Sequence, residues 1–254
     1  MPQTRLQPPP QSSIVAFFLQ TRYLRVLGQR IFPVYTATTP DGVILHLRSR
    51  YGFDAATVEE VIYKRIYERF FSPGPGETVI DVGAHIGSFT VMAAREVGPS
   101  GKVVSLEPSA PNFKLLNLNI STNHFDNAKA LNLAAGSTDD VGELRLYNRQ
   151  GGNSFYSREL PLIGSQSVKI TTLDSVAESL KLDRIDFVKI DVEGHELEVL
   201  KGASEILGED HPKIVLETHE FGPSVEDLTG YLEKFNYSVK TTPYGSHLGL
   251  LYAS

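Results

Sequence analysis

From Glu77 to Gly87 the chain reads Glu-Thr-Val-Ile-Asp-Val-Gly-Ala-His-Ile-Gly, an apolar strand that empties into a glycine-bearing turn opening a helix over residues 86–95. A strand that hands over to a helix through so short a turn sends the chain back across the sheet, and the next strand then lies parallel to the first. The unit recurs. Residues 102–106 and 129–134 read as strands around a helix at 112–120, and residues 186–190 and 213–217 as strands around a helix at 197–207. A further helix at 223–235 leads to strands at 237–241 and 247–252, a hairpin across Pro243-Tyr244-Gly245 that makes the last strand antiparallel. This alternation predicts an α/β fold with a mainly parallel sheet and helices on both faces.

Ahead of this series, residues 43–50 alternate as a strand introduced by Asp41-Gly42. Asp54 is placed to cap a helix with the apolar face Val58, Val61, Ile62, Ile66 and Phe70. Between Gly136 and Leu173 the alternation lapses into β-like pieces at 143–147 and 168–170 around the turn Gly151-Gly152-Asn153-Ser154, which predicts an insertion flanking the functional edge.

Composition bounds the chemistry. With 254 residues, 24 Lys+Arg and 30 Asp+Glu, the chain carries a net charge of −6, which argues against a dedicated nucleic-acid binder. There is no cysteine, so thiolate nucleophiles, disulfides and cysteine-ligated metals are excluded. No apolar run reaches the ~18 residues of a membrane span and no secretory leader is recognisable, so the expected location is cytoplasmic. The first carboxylate is Asp41, whereas Arg5, Arg22, Arg25 and Arg30 all precede it. Residues 1–40 therefore read as a basic amphipathic arm before one domain at 41–254. Because amphipathic helices usually face a core, the arm is expected to pack on the main domain or on a dimer mate. A membrane-surface helix and a lid over the pocket are the other roles that fit.

Two motifs carry chemistry. In an open α/β sheet a ligand sits beyond the carboxyl ends of the strands, where the strand order reverses. Gly83 lets backbone approach a ligand there, Gly87 permits close helix packing, and Glu107, after the second strand and before Pro108, can accept hydrogen bonds from vicinal ribose hydroxyls. A dinucleotide needs a middle glycine to cradle pyrophosphate, but His85 stands there and Asp81 adds negative charge. A cationic nucleoside with an amino acid end, such as S-adenosylmethionine, fits better, with Asp81 helping to orient its ammonium.

The second motif, Asp186-Phe-Val-Lys189-Ile-Asp191-Val-Glu193-Gly194-His195-Glu196, gathers ionisable groups at the exit of another strand. Asp191 and Glu193 suit a substrate hydroxyl or the ligand ammonium. Lys189 suits an anionic group or an ion pair within the sheet. His195, Glu193 and His219, in that order, are candidate bases for a proton leaving a hydroxyl. Magnesium or manganese at Asp191, Glu193 and His195 would be compatible with the donor types, with Glu217, His219 and Glu220 on the adjacent strand end, but no second acidic cluster obviously completes a site and no metal is expected.

The turn Asp81 to Gly87, the acid in Leu106-Glu107-Pro108, and Lys189-Ile-Asp191-Val-Glu193-Gly194-His195-Glu196 with Leu200-Lys-Gly202-Ala203 together resemble the FkbM family of S-adenosylmethionine-dependent methyltransferases. The resemblance runs from Val43 to Glu220. It implies a Rossmann-like class I methyltransferase with a mainly parallel seven-stranded sheet and an antiparallel last strand. It also implies O-methylation of a small-molecule or glycan hydroxyl on a sugar or polyketide-type product. Position within the pattern assigns Asp81, Gly83, Ala84, His85, Gly87, Glu107, Pro108 and Asp191 to the cofactor, with Asn132 and Ala134 flanking the adenine. At His85 the family more often has Asn. A nicotinamide-dependent oxidoreductase and a non-catalytic Rossmann-like binding protein are the competing classes.

Overall fold

The structure is a computed structural model that describes residues 34–48, 53–147, 153–156, 161–244 and 248–254. The arm up to residue 33, the Gly151-Gly152 turn and Gly245 lie outside the described residues.

Strands β1 (Val34–Thr38) and β2 (Ile44–Arg48) pair antiparallel across the Asp41-Gly42 turn. The first of them falls within the forty residues grouped above as the arm. The helix expected from residue 54 is broken: α1 (Phe53–Val58) widens into a π-helical turn at Glu59–Tyr63, Arg65 is left-handed at φ 50°, and only a 3-10 turn, Ile66–Glu68, follows. Arg65 turns outward to pair with Glu68 and Glu96, while Tyr67 is driven inward and buried. Asp54 is no cap. Its carboxylate takes both Arg48 Nε at 2.9 Å and Arg48 Nη2 at 2.8 Å.

The central unit then proceeds β3 (Thr78–Val82), α2 (Ser88–Val97), β4 (Lys102–Leu106), α3 (Ala110–Thr122) and β5 (Ala128–Leu131). A second sheet follows, formed by β6 (Ala134–Ala135), β7 (Asp140–Tyr147) and β8 (Leu162–Thr171) in the order β6-β8-β7. The insertion is thus one long antiparallel hairpin, and its short β-like pieces are only its most regular stretches. Residues 173–180, which sequence periodicity leaves unassigned, form α4 (Leu173–Leu180), capped by Thr172 Oγ1 accepting from Ser175 N at 3.0 Å.

The chain returns through β9 (Phe187–Ile190), α5 (Glu196–Lys201), α6 (Ser204–Glu209), β10 (Lys213–Thr218), α7 (Val225–Leu232), β11 (Val239–Tyr244) and β12 (Leu248–Ala253). The single helix expected at 197–207 is two short ones, jointed at Gly202-Ala203. The main sheet has seven strands in the order β11-β12-β10-β9-β3-β4-β5, parallel except for β12, which runs antiparallel between β10 and β11.

Residues alternate faces along each strand. Ile80, Val104, Val188 and Ile214 bury against the side carrying α4 to α7, while Val79, Val103, Phe187 and Val215 bury with α2 and the Tyr67 turn. Each such side chain contributes about 1.5 to 3 kcal/mol of burial, so continuous Val/Ile runs mark strands covered on both faces. The order reverses between β3 and β9, because the chain moves outward to β4 and β5 before crossing back. That reversal fixes where a ligand can enter.

Candidate active site

A cleft opens at the carboxyl ends of β3, β4, β9 and β10, with about 960 Å³ of empty space that includes open solvent at its mouth. Its lining has apolar residues, among them Leu106, Pro108, Leu133, Ala134 and Ala135, and polar ones, among them Tyr67, Asp191, Glu193, His195 and Glu217. Of the expected residues, Gly83, His85, Glu107, Pro108, Ala134, Asp191, Glu193 and His195 line it. Asp81, Ala84, Gly87, Asn132, Lys189 and His219 stand behind the lining.

Those behind it hold it in shape. Asp81 is wholly buried, with Oδ2 accepting from Thr90 Oγ1 at 2.6 Å and Oδ1 3.2 Å from Lys189 Nζ. Lys189 also donates to the Gly83 carbonyl at 2.9 Å. Its ammonium thus ties the turn to the sheet, which is the buried ion pair weighed above. Asn132 donates to the Glu107 carbonyl at 2.8 Å and to that of Pro108 at 3.0 Å, anchoring the loop after β4. Gly87 packs against Leu116 of α3: a Cβ there would lie 2.6 Å from Leu116 Cδ1.

Glu107 ends β4 with its carboxylate almost enclosed. Oε2 accepts from His85 N at 2.8 Å, and Oε1 accepts from Ser109 N at 2.9 Å and Asn112 Nδ2 at 3.3 Å. Burial outweighs these donors and pushes its pKa up to about 7. Two carboxylate oxygens offer about four acceptor positions, so capacity for a further hydroxyl remains. His85, at φ 53°, sits with Nε2 3.0 Å from Arg48 Nη2. Burial lowers its pKa to about 4, so the ring is neutral and its Nε2 accepts from the guanidinium. Arg48 meanwhile donates to Asn112 Oδ1 at 2.8 Å, joining the β1–β2 hairpin to the turn and to α3. Neither Arg48 nor Asp54 is signalled by a motif, since their mutual ion pair has no pattern and the links of Arg48 to His85 and Asn112 reach far along the chain.

Among the polar lining, the Tyr67 hydroxyl lies 2.7 Å from Glu217 Oε2 and 3.2 Å from Asp191 Oδ2. Burial, reinforced by the charge of Asp191, pushes the Glu217 pKa up to about 8. His219 is buried with Nδ1 2.8 Å from Glu196 Oε1. Burial would lower its pKa, but the Glu196 hydrogen bond and the charges of Glu193, Glu196 and Asp191 win and raise it to about 10. A proton already held that tightly unfits His219 as a base at neutral pH. His195 lines the cleft, its Nδ1 3.2 Å from the Tyr156 hydroxyl, and burial lowers its pKa, which keeps the ring neutral. Tyr67 carries no sequence signal of a polar role, because it belongs to no motif and its partners Asp191 and Glu217 are reached only through the fold.

A parallel sheet with one antiparallel strand second from its edge, and a cleft at its switch point, define a class I, S-adenosylmethionine-dependent type of methyltransferase fold. A crystal structure of methyltransferase FkbM from Methylobacillus flagellatus superimposes with a TM-score of 0.54 at 21% identity, over 78% of this chain and 48% of that one. Residues 81–239 match the sequence profile of the methyltransferase FkbM domain, and the chain belongs to that family. Methyltransferase sdnD of Sordaria araneosa is 29% identical over 183 residues, covering 59% of this chain and 70% of the relative. Hexuronic acid methyltransferase AglP of Haloferax volcanii is 29% identical over 167 residues, covering 64% of each. Among the described residues, no helix is long and apolar enough to cross a membrane.

Proposed function

We propose that the domain at 41–254 transfers a methyl group from S-adenosylmethionine to a hydroxyl oxygen of a sugar, glycan or polyketide-type acceptor. The observation that carries this is Glu107: a buried carboxylate with spare acceptor capacity, at the switch point, in a cleft lined by both apolar and polar groups. The residues fit the cofactor. Glu107 would take a ribose hydroxyl, and Leu106, Pro108, Leu133 and Ala134 would cover the base. The bound sulfonium supplies an already activated methyl group, so no covalent enzyme intermediate is needed.

The chain's own task is positioning. Asp191 and Glu193 orient the acceptor hydroxyl beside the cleft floor, and the turn at Gly83 fixes the distance across it. His195, neutral and in the cleft, accepts the proton that leaves the hydroxyl as the carbon–oxygen bond forms, and Glu193 is the alternative acceptor. AglP, by its name, methylates a hexuronic acid, which supports a sugar-derived acceptor.

Calorimetry tests the carrying observation. Glu107→Ala should weaken S-adenosylmethionine binding by about 1 to 3 kcal/mol. Unchanged affinity would remove Glu107 as the ribose partner, and tighter binding of NAD than of S-adenosylmethionine would overturn the function.

A further inference from the structure

Asp191, Glu217 and His219 reach the same point from two parallel strands. β9 and β10 run side by side with Leu216 opposite Ile190, so Asp191 and Glu217 leave the sheet together, and the period of two puts His219 on the same face as Glu217. One donor atom from each lies within 4.8 Å of the others. Sequence spacing offered Asp191, Glu193 and His195, with Glu217, His219 and Glu220 on the adjacent strand end, and led to no expected metal; the sheet register brings Asp191, Glu217 and His219 together.

Two further observations of geometry point to a cation site. Glu217 is 8% exposed, and among the described residues Tyr67 is the only hydrogen-bond donor to its carboxylate, so its second oxygen has none. Apart from the His219 proton, which a bound ion would displace, the fixed cation beside these acids is Lys189, which is spent on Asp81 and the Gly83 carbonyl and stays 3.8 Å from Asp191 Oδ2. The His219 imidazole is held through Nδ1 by Glu196, itself fully buried, so Nε2 faces the carboxylates, 3.7 Å from Asp191 Oδ1 and 3.5 Å from Glu193 Oε2. Both distances are too long for hydrogen bonds. An imidazole locked by a carboxylate on one nitrogen, with the other turned to a group of oxygens, is the arrangement that orients histidine toward a metal.

We propose that Asp191, Glu217 and His219 bind one divalent cation of the magnesium–manganese class at the edge of the cleft. Two carboxylates and one imidazole suit such an ion and leave about three octahedral positions for water or an acceptor oxygen. The role of the ion rests on the methyltransferase reading: it would hold the acceptor hydroxyl and favour loss of its proton. The occupancy of the site does not rest on it.

Manganese, whose free aqueous ion is read by electron paramagnetic resonance, is the probe. Titrated into the full chain after EDTA treatment, it should bind at one ion per chain. Glu217→Gln should abolish binding, and the isosteric Glu196→Gln, which touches no ion, should weaken it ~10- to 100-fold by releasing the imidazole. Exposed Glu226→Gln should change nothing, with circular dichroism confirming that each variant is folded. Absence of bound manganese in the parent chain, or equal binding by Glu217→Gln and Glu226→Gln, overturns the site. S-adenosylmethionine calorimetry on the EDTA-treated chain separates the two readings: cofactor binding without manganese binding sinks only the metal site, and the reverse sinks only the proposed function.

Discussion

Gly83 shows how one missing side chain sets the geometry of the cleft. Its φ is +75°, a conformation that L side chains rarely adopt, and a Cβ built there would stand 1.8 Å from the Asp191 carbonyl oxygen. The turn after β3 and the exit of β9 therefore touch backbone to backbone, and Lys189 cements the contact by donating to the Gly83 carbonyl. Glycine was legible at this position as a close-approach residue, but the partner was taken to be the ligand. The nearer partner is Asp191, and no local pattern could reveal it, because the two residues meet only through the β3–β9 pairing. Gly83→Ala should displace the Asp191 backbone, lower stability by roughly 1 to 3 kcal/mol, and weaken cofactor binding as well. Denaturant titration and calorimetry check both, and a stable variant with intact binding would show that the two turns can separate.

The strands were legible because Val/Ile runs buried on both faces leave a signal that needs no tertiary information. Elements whose form depends on distant partners were not. The stretch from residue 53 to 68 carries a helical apolar pattern, yet the pull of Glu68 and Glu96 on Arg65 and the burial of Tyr67 break it. The insertion looked fragmentary because β7 and β8 form a sheet apart from the main one, with largely exposed Val141, Leu162 and Ile163 outside any core. The joint between α5 and α6 has a similar explanation. A Cβ on Gly202 would lie 1.9 Å from the Gly136 carbonyl oxygen, so the main chain of this joint rests directly on the start of the insertion. Gly202, quoted in the sequence as part of a motif, is thus a packing requirement. Gly202→Ala should cost about 1 to 3 kcal/mol through overpacking and loosen the hairpin against the domain. Hydrogen exchange should show the loss of protection spreading into β6 and β8; protection lost only at α5 and α6 would disprove that coupling.

The site as an assembly concentrates buried acids around few cations, and folding stability must register this as a dependence on pH. His219 titrates near 10 in the folded chain against an ordinary 6.5, and Glu217 near 8 against an ordinary 4.5. Between pH 6.5 and 8 the folded state therefore binds more protons than the unfolded one at both groups. Stability falls wherever that holds, by about 1.4 kcal/mol per pH unit for each full extra proton. The contribution of His219 is complete below its unfolded pKa and is lost as pH rises through about 10. His85, depressed to about 4, acts in the opposite sense, but only between pH 4 and 6.5, below this window. In EDTA, the free energy of unfolding should decline from pH 6.5 to 8 and onward toward 10, and Glu196→Gln should flatten the decline by removing the first partner that raises His219. A slope that is level or rising in this window, or one that Glu196→Gln leaves unchanged, would mean that His219 is not held protonated by the carboxylates around it.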